Sequence, residues 1–248
     1  SADPFSYTAP GRPWVVHEWL WELGVYGLYR YGGYAAAALA SALIVTLTYA
    51  LLYRLLRRLG VNELVAAGLV FWAAALALPS LGVRPRELTH LFLMLYVSRL
   101  MLYREGSVRR LWLLPPVMAV WVNVHGPFAL GLGVLGLFIV GETGSWLAGT
   151  GRAPRHLWLV GAATLAATFV NPSGPSILLY PIGYYLQGAN PSFAIVTEFQ
   201  SPNFHEPIYL AFAASILALM VLGGRRSRAS LTDALLLIAF TLQALVSA

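Results

Sequence analysis

The run YAAAALASALIVTLTYALLYRLLRR, residues 34–58, decides the fold class. Its first twenty positions carry no charge. About 20 consecutive apolar residues are what an α-helix needs to cross a hydrocarbon core of roughly 30 Å. Arg54, Arg57 and Arg58 then stop the run, as arginines do where a helix leaves the bilayer on its cytoplasmic side. The same punctuation recurs at Arg104/Arg109/Arg110, Arg152/Arg155 and Arg225/Arg226/Arg228. With all four clusters in the cytoplasm, Asp3, His17, Glu18, Arg84, His125, Asn171, Glu198, His205 and Glu206 fall on the opposite face. A single extracytoplasmic site assembled from several loops requires that arrangement.

Composition agrees. The chain is 58% hydrophobic and 10% charged, with a mean hydropathy of +0.69, whereas soluble domains carry about 25% charge. All 16 basic residues are arginine, and the net charge of +6 comes mostly from the clusters, so it reads as membrane topology and lipid-headgroup contact. No nucleic-acid partner is expected. The absence of cysteine excludes disulfides, zinc thiolates and iron–sulfur clusters. The chain opens Ser-Ala-Asp-Pro and closes inside an apolar run, and is expected to be a piece of a longer protein.

The expected fold is all-α: a polytopic transmembrane bundle of about seven or eight spans with interfacial amphipathic helices, one membrane domain over the whole chain. Residues 1–33 read as an external loop. Within it HEWLWELGVYGLYRY (17–31) forms an interfacial helix ended by Gly32-Gly33, because Trp and Tyr favour the headgroup level. Residues 34–187 hold the main bundle, with spans over 34–53, 62–79 and 88–103, a loop at 80–87 and a second amphipathic stretch at 174–187. The uncharged run 111–140 goes out and back, which keeps Arg152 and Arg155 on the arginine side. Its outward arm is short. Either that helix extends back past Arg109, or the turn Asn123-Val124-His125-Gly126 is recessed, which is tolerated only where protein encloses it. Gly126, Gly131, Gly133 and Gly136 are placed for close helix packing. Residues 188–206 form a second external loop. Residues 207–248 carry the last spans, the final one capped at Ser230 or Thr232.

No phosphate-binding loop, dinucleotide fingerprint, nucleophile elbow or zinc-protease motif occurs. What remains is a constellation of acids, cations and histidines on one face. Glycosyl or phosphoryl transfer to a hydroxyl needs a carboxylate as general base and cations to neutralise a departing phosphate. Asp3, Glu18, Glu198 and Glu206 are the acids on that face outside the long spans, with Glu22 nearby and Glu87 beside Arg86. Arg12, Arg84 and His125 are the candidate phosphate ligands, and His17, Asn123, Glu198, Gln200 and His205 the candidate substrate ligands. A His and an Asn in a turn at membrane depth are costly, so WVNVHG (121–126) points to function. NPSG (171–174) reads as a turn. The histidine spacings carry no metal signature, and the sequence leaves cofactors undefined.

The segments DPFSYTAPGRPWVVHEWLWE (3–22), RP (84–85), WVNVHG (121–126), NPSG (171–174) and EFQSPNFHEP (198–207) resemble a family of bacterial multi-pass membrane proteins. That family is similar to GT-C glycosyltransferases, distant relatives of protein mannosyltransferases and oligosaccharyltransferases. The resemblance implies a polyprenyl-phosphate sugar as donor, a site on the outer side of the bacterial cytoplasmic membrane, and catalytic acids in the first external loop, here Asp3 and Glu18. It also implies that the first span and the start of that loop precede residue 1. Two other readings fit the sequence: a non-catalytic subunit with partner membrane chains, and a transporter of lipid-linked sugars with broken helices around 123–126.

Overall fold

The computed structural model describes residues 17–180, 203–224 and 230–246. Among these the chain is all-helical. Eight α-helices follow in order: α1 (Trp19–Arg58), α2 (Glu63–Ala77), α3 (Arg86–Arg104), α4 (Leu114–Trp121), α5 (Ala129–Leu147), α6 (Arg155–Ala167), α7 (Pro207–Gly224) and α8 (Leu231–Val246). Short 3₁₀ turns lie at Leu78–Ser80, Gly126–Phe128 and Gly174–Leu178. Three segments are long and apolar enough to cross a membrane: Trp19–Arg58, Glu63–Ser80 and Gly126–Leu147. Leu39, Leu43, Leu64 and Phe71 on α1 and α2 are exposed, the surface of a protein covered by an apolar medium rather than water.

The aromatic segment and the first apolar run form one 40-residue helix, α1, broken at Gly33 (φ 64°, ψ −165°). A side chain is strongly disfavoured in that region of backbone space, so glycine permits the break. The expected boundary at Gly32-Gly33 is therefore a kink, with helix resuming directly after it.

The core lies between α3, α4, α5 and α6. Trp121, Tyr96, Phe128, Phe138, Leu135 and Met118 are fully buried there. Gly131 lets Trp121 in: a methyl group at that position would sit 2.5 Å from the indole and 3.0 Å from the Met118 terminal methyl. Gly133 and Gly136 face open space, so of the four glycines expected to permit close packing only Gly131 and Gly126 do so among the described residues.

Helix α4 has eight residues and starts at Leu114, so it does not extend back past Arg109. At 1.5 Å per residue it covers about 12 Å, and protein encloses the turn that follows. Val122, Asn123 and Val124 are buried. The start of α4 meets the start of α6 where the Leu111 N–H donates to His156 Nε2 at 3.0 Å. The end of α5 meets the same region, with Trp146 and Trp158 ring centroids 5.9 Å apart. The chain thus leaves along α4 and returns along α5, placing Arg104–Arg110 and Arg152–Arg155 at one end of the bundle.

Helix α8 docks at that end. The Ser230 hydroxyl accepts the Asp233 N–H at 3.2 Å while Asp233 Oδ2 accepts the Ser230 N–H at 3.1 Å, a reciprocal cap that selects Ser230 over Thr232. Arg104 Nη1 donates to Asp233 Oδ1 at 2.7 Å, and Thr232 donates to Glu142 at 2.9 Å. On the other side, the Trp72 indole N–H donates to Ser215 at 2.9 Å, joining α2 to α7.

Replacing Gly33 by Ala is expected to destabilise the protein by about 1–3 kcal/mol, the usual cost of a strained backbone position. Gly27→Ala, in the regular part of α1 with no atom near the added methyl group, should be neutral or stabilising by up to about 1 kcal/mol. Denaturant unfolding in lipid micelles compares the two.

Candidate functional site

The opposite end of the bundle gathers three segments that are far apart in sequence: the start of α1, the turn 122–125, and residues 170–180. Asn123 holds them together. It is 4% exposed. Its carboxamide oxygen accepts from Trp19 Nε1 at 2.8 Å and from Asn171 Nδ2 at 3.1 Å. Its Nδ2 donates to the Ala119 carbonyl at 2.8 Å and the Val170 carbonyl at 2.6 Å. Its backbone carbonyl accepts the Leu20 N–H at 3.1 Å. Every donor and acceptor of the carboxamide is in use. Asn123, a candidate substrate ligand, therefore assembles the site and has no polar group left over for a ligand.

Asn171 adds a second tie. Its oxygen accepts the Ser173 N–H at 2.8 Å, the turn expected from NPSG, while its Nδ2 also donates to the Val122 carbonyl at 3.1 Å. The carbonyls of the turn and of α6's end are thus satisfied by side chains, which lets non-helical backbone be buried.

Around this frame stand Glu18, His17 and His125. Both His17 Nε2 and His125 Nε2 lie 3.5 Å from Glu18 Oε1. That spacing is long for a hydrogen bond. It leaves the carboxylate, about a quarter exposed, loosely held between two imidazoles. Behind His125 runs a buried chain. The Trp121 indole N–H donates to Thr89 Oγ1 at 3.0 Å, and Thr89 Oγ1 meets His125 Nδ1 at 2.9 Å. The Thr89 hydroxyl can donate to Nδ1 or accept from it, and the Glu18 carboxylate beyond Nε2 can only accept, which favours the tautomer in which Thr89 donates to Nδ1. The neutral imidazole then carries its proton on Nε2, facing Glu18. His17 stacks on Tyr180 with ring centroids 4.5 Å apart. Gly126 lies beneath both, where a methyl group would come within 3.4 Å of the Tyr180 ring.

Burial pulls the His125 pKa down to about 4. Glu18 works in the opposite direction and is outweighed, while His17, Arg86 and His90 add to the lowering. His125 is therefore neutral at neutral pH and offers an N–H to a ligand.

Arg86 is the arginine whose charge reaches His125; Arg84, the expected phosphate ligand, is exposed two residues earlier. The loop bearing them is anchored by Glu87, 2% exposed. Glu87 Oε1 accepts the Gly82 N–H at 2.9 Å, and Oε2 accepts from Ser41 of α1. Sequence reasoning placed Glu87 only as a neighbour of Arg86. Thr89 and Tyr180 were also missed, the one signal being that an imidazole in a buried turn needs a partner for each ring nitrogen.

The remaining candidates divide in two. Asp3, Arg12, Glu198 and Gln200 lie outside the described residues. His205 is exposed at the turn before α7, its N–H donated to Asn203 Oδ1 at 3.2 Å. Among the described residues no hydrogen bond or ion pair joins it to Glu18, and no group of three His, Asp or Glu residues is arranged to hold a metal ion. Compared with known protein families, curated proteins and solved structures, the chain matches none.

Asn123→Ala is expected to cost about 2–3 kcal/mol in unfolding free energy, because it strands buried partners in addition to deleting hydrogen bonds. An unfolding curve in lipid micelles reads the loss. The low pKa of His125 gives a second expectation. An unfolded histidine, near pKa 6.5, binds a proton before the folded one does, so stability is full above about 6.5 and is lost as pH falls towards 4. Melting temperatures of wild type and His125→Gln across that window should converge as pH drops.

Proposed function

We propose that this chain belongs to an extracytoplasmic glycosyltransferase of the bacterial cytoplasmic membrane that takes its sugar from a polyprenyl-phosphate carrier. The observation that carries the reading is the carboxylate of Glu18, set between two imidazoles at the end of the bundle away from the arginine clusters. In this reading the chain crosses the membrane about seven or eight times, with α3, α6, α7 and α8 joining the three long apolar segments and the short α4 supplying the outward arm that α5 returns from. The arginine end faces the cytoplasm, as the charge bias asks.

The reaction assigned to the site is a displacement with inversion. Glu18 accepts the proton of an acceptor hydroxyl or amide. The acceptor atom bonds to the anomeric carbon as the bond from that carbon to the carrier phosphate oxygen breaks, and the lipid phosphate departs with the electron pair. Arg84 and Arg86 neutralise the departing charge, and His125 donates from Nε2 to a phosphate oxygen, its own orientation fixed by Thr89 and Trp121. His17 steadies the Glu18 carboxylate from the other side. The long 3.5 Å contacts are of the kind that tighten when substrate arrives.

Two measurements test this reading. With the full-length protein in lipid vesicles and a polyprenyl-phosphate sugar, Glu18→Gln should lower transfer by roughly 10²–10⁴-fold, the usual contribution of a general base. Wild-type protein that turns over no donor but co-purifies with stable partner chains would favour the subunit reading instead. Sidedness is tested with single cysteines, since the chain has none of its own. In right-side-out vesicles a membrane-impermeant maleimide should label Val83→Cys and spare Ser107→Cys; the reverse pattern would invert the topology.

A further inference from the structure

Glu18 is the first member of a stripe along one face of α1. Glu22, Tyr26 and Tyr29 follow at spacings of four, four and three residues, which align side chains on a helix surface. Beside this stripe the kink at Gly33 opens a wedge between the two arms of α1. A groove of about 540 Å³ occupies it, lined by Trp21, Glu22, Tyr26, Tyr29, Tyr34 and, from the arginine-bearing loop, Val83. Ordinary small-molecule sites run from about 300 to 1,000 Å³, so the groove has the capacity of a binding site.

The lining indicates the occupant. Tyr26, Tyr29 and Tyr34 are each more than 60% exposed. Among the described residues their hydroxyls and the Glu22 carboxylate make no hydrogen bond or ion pair. The groove floor is mostly apolar, with Val25 and Ala37 beside the aromatic faces, and the Glu22 carboxylate and three phenol hydroxyls stand at its open edge. A sugar ring satisfies both halves of the surface. Its C–H faces pack on aromatic rings, and its hydroxyls bond to the carboxylate and phenols at the edges. Glu22, at the groove, lies one helical turn beyond Glu18.

The geometry points to this groove as the seat of a glycan acceptor: an oligosaccharide lies on Tyr26 and Tyr29, hydrogen-bonds to Glu22, and presents its terminal hydroxyl to Glu18. The assignment rests on the transferase reading for the role of the bound sugar. The binding itself requires only the groove.

The test uses the full-length protein in lipid nanodiscs and saturation-transfer NMR with maltotetraose, cellotetraose, chitotetraose and mannotetraose as probes. At least one should bind wild type at millimolar concentration. Tyr26→Ala and Tyr29→Ala should each weaken that probe by about tenfold, a difference of roughly 1.4 kcal/mol. Tyr29→Phe should retain most of the binding. Failure of all four probes, or unchanged binding in both alanine variants, overturns the assignment. So does an isoprenyl-phosphate photoprobe that cross-links to this stripe and is not displaced by sugar. Sugar binding that depends on Tyr26 and Tyr29 in a protein without transferase activity would leave the groove standing and sink the transfer reaction. Transfer at full rate in both alanine variants would do the reverse.

Discussion

One carboxamide holds the site end of this protein together. Asn123 sits in a turn that cannot form its own ladder of backbone hydrogen bonds, and it borrows partners from three directions: the indole of Trp19, the carbonyl at the end of α6, and the amide of Asn171. A buried amide lacking any of these would carry a desolvation cost of about 1–3 kcal/mol for each stranded group. With all of them in place, the amide fixes the start of α1 against the turn. Glu18 and His125 come together as a consequence, because each is one or two residues from a tie that Asn123 makes.

That dependence explains the division of labour in the WVNVHG segment. Trp121 fills the core and aims its N–H at Thr89. Asn123 joins the segments. His125 alone turns its free ring edge toward the carboxylate. Two neighbours on one turn therefore do unlike jobs, one spending all its hydrogen-bonding capacity on structure and the other keeping a donor for a ligand. The loop 81–85 repeats the pattern, with Glu87 buried against Ser41 and Gly82 so that Arg84 and Arg86 are held near the same end.

Much of this was legible in the sequence, for definite reasons. Uncharged runs between arginine clusters announce helices, and Gly32-Gly33 announces a break. Ser230 followed three residues later by Asp233 announces a cap. A histidine in an uncharged stretch announces a costly group that must be matched. The sequence was silent where the partner is remote. Thr89 is one of many threonines on apolar helices until the fold sets it 2.9 Å from His125. NPSG read as a turn, which it is, but nothing local shows that Asn171 also reaches Val122 and Asn123. Glycine spacing alone could not separate Gly131, which Trp121 needs, from Gly133 and Gly136, which face open space.

The claim on which everything else rests is that Glu18 and His125 share one site. Because the chain contains no cysteine, a chemical cross-link measures this directly. The double variant Glu18→Cys/His125→Cys, treated in its native membrane with a short membrane-permeant bis-maleimide, should be bridged within one chain as readily as a reference pair at Ser41 and Glu87, whose side chains are in hydrogen-bond contact. A reference pair that closes while the Glu18–His125 pair stays open would contradict the account.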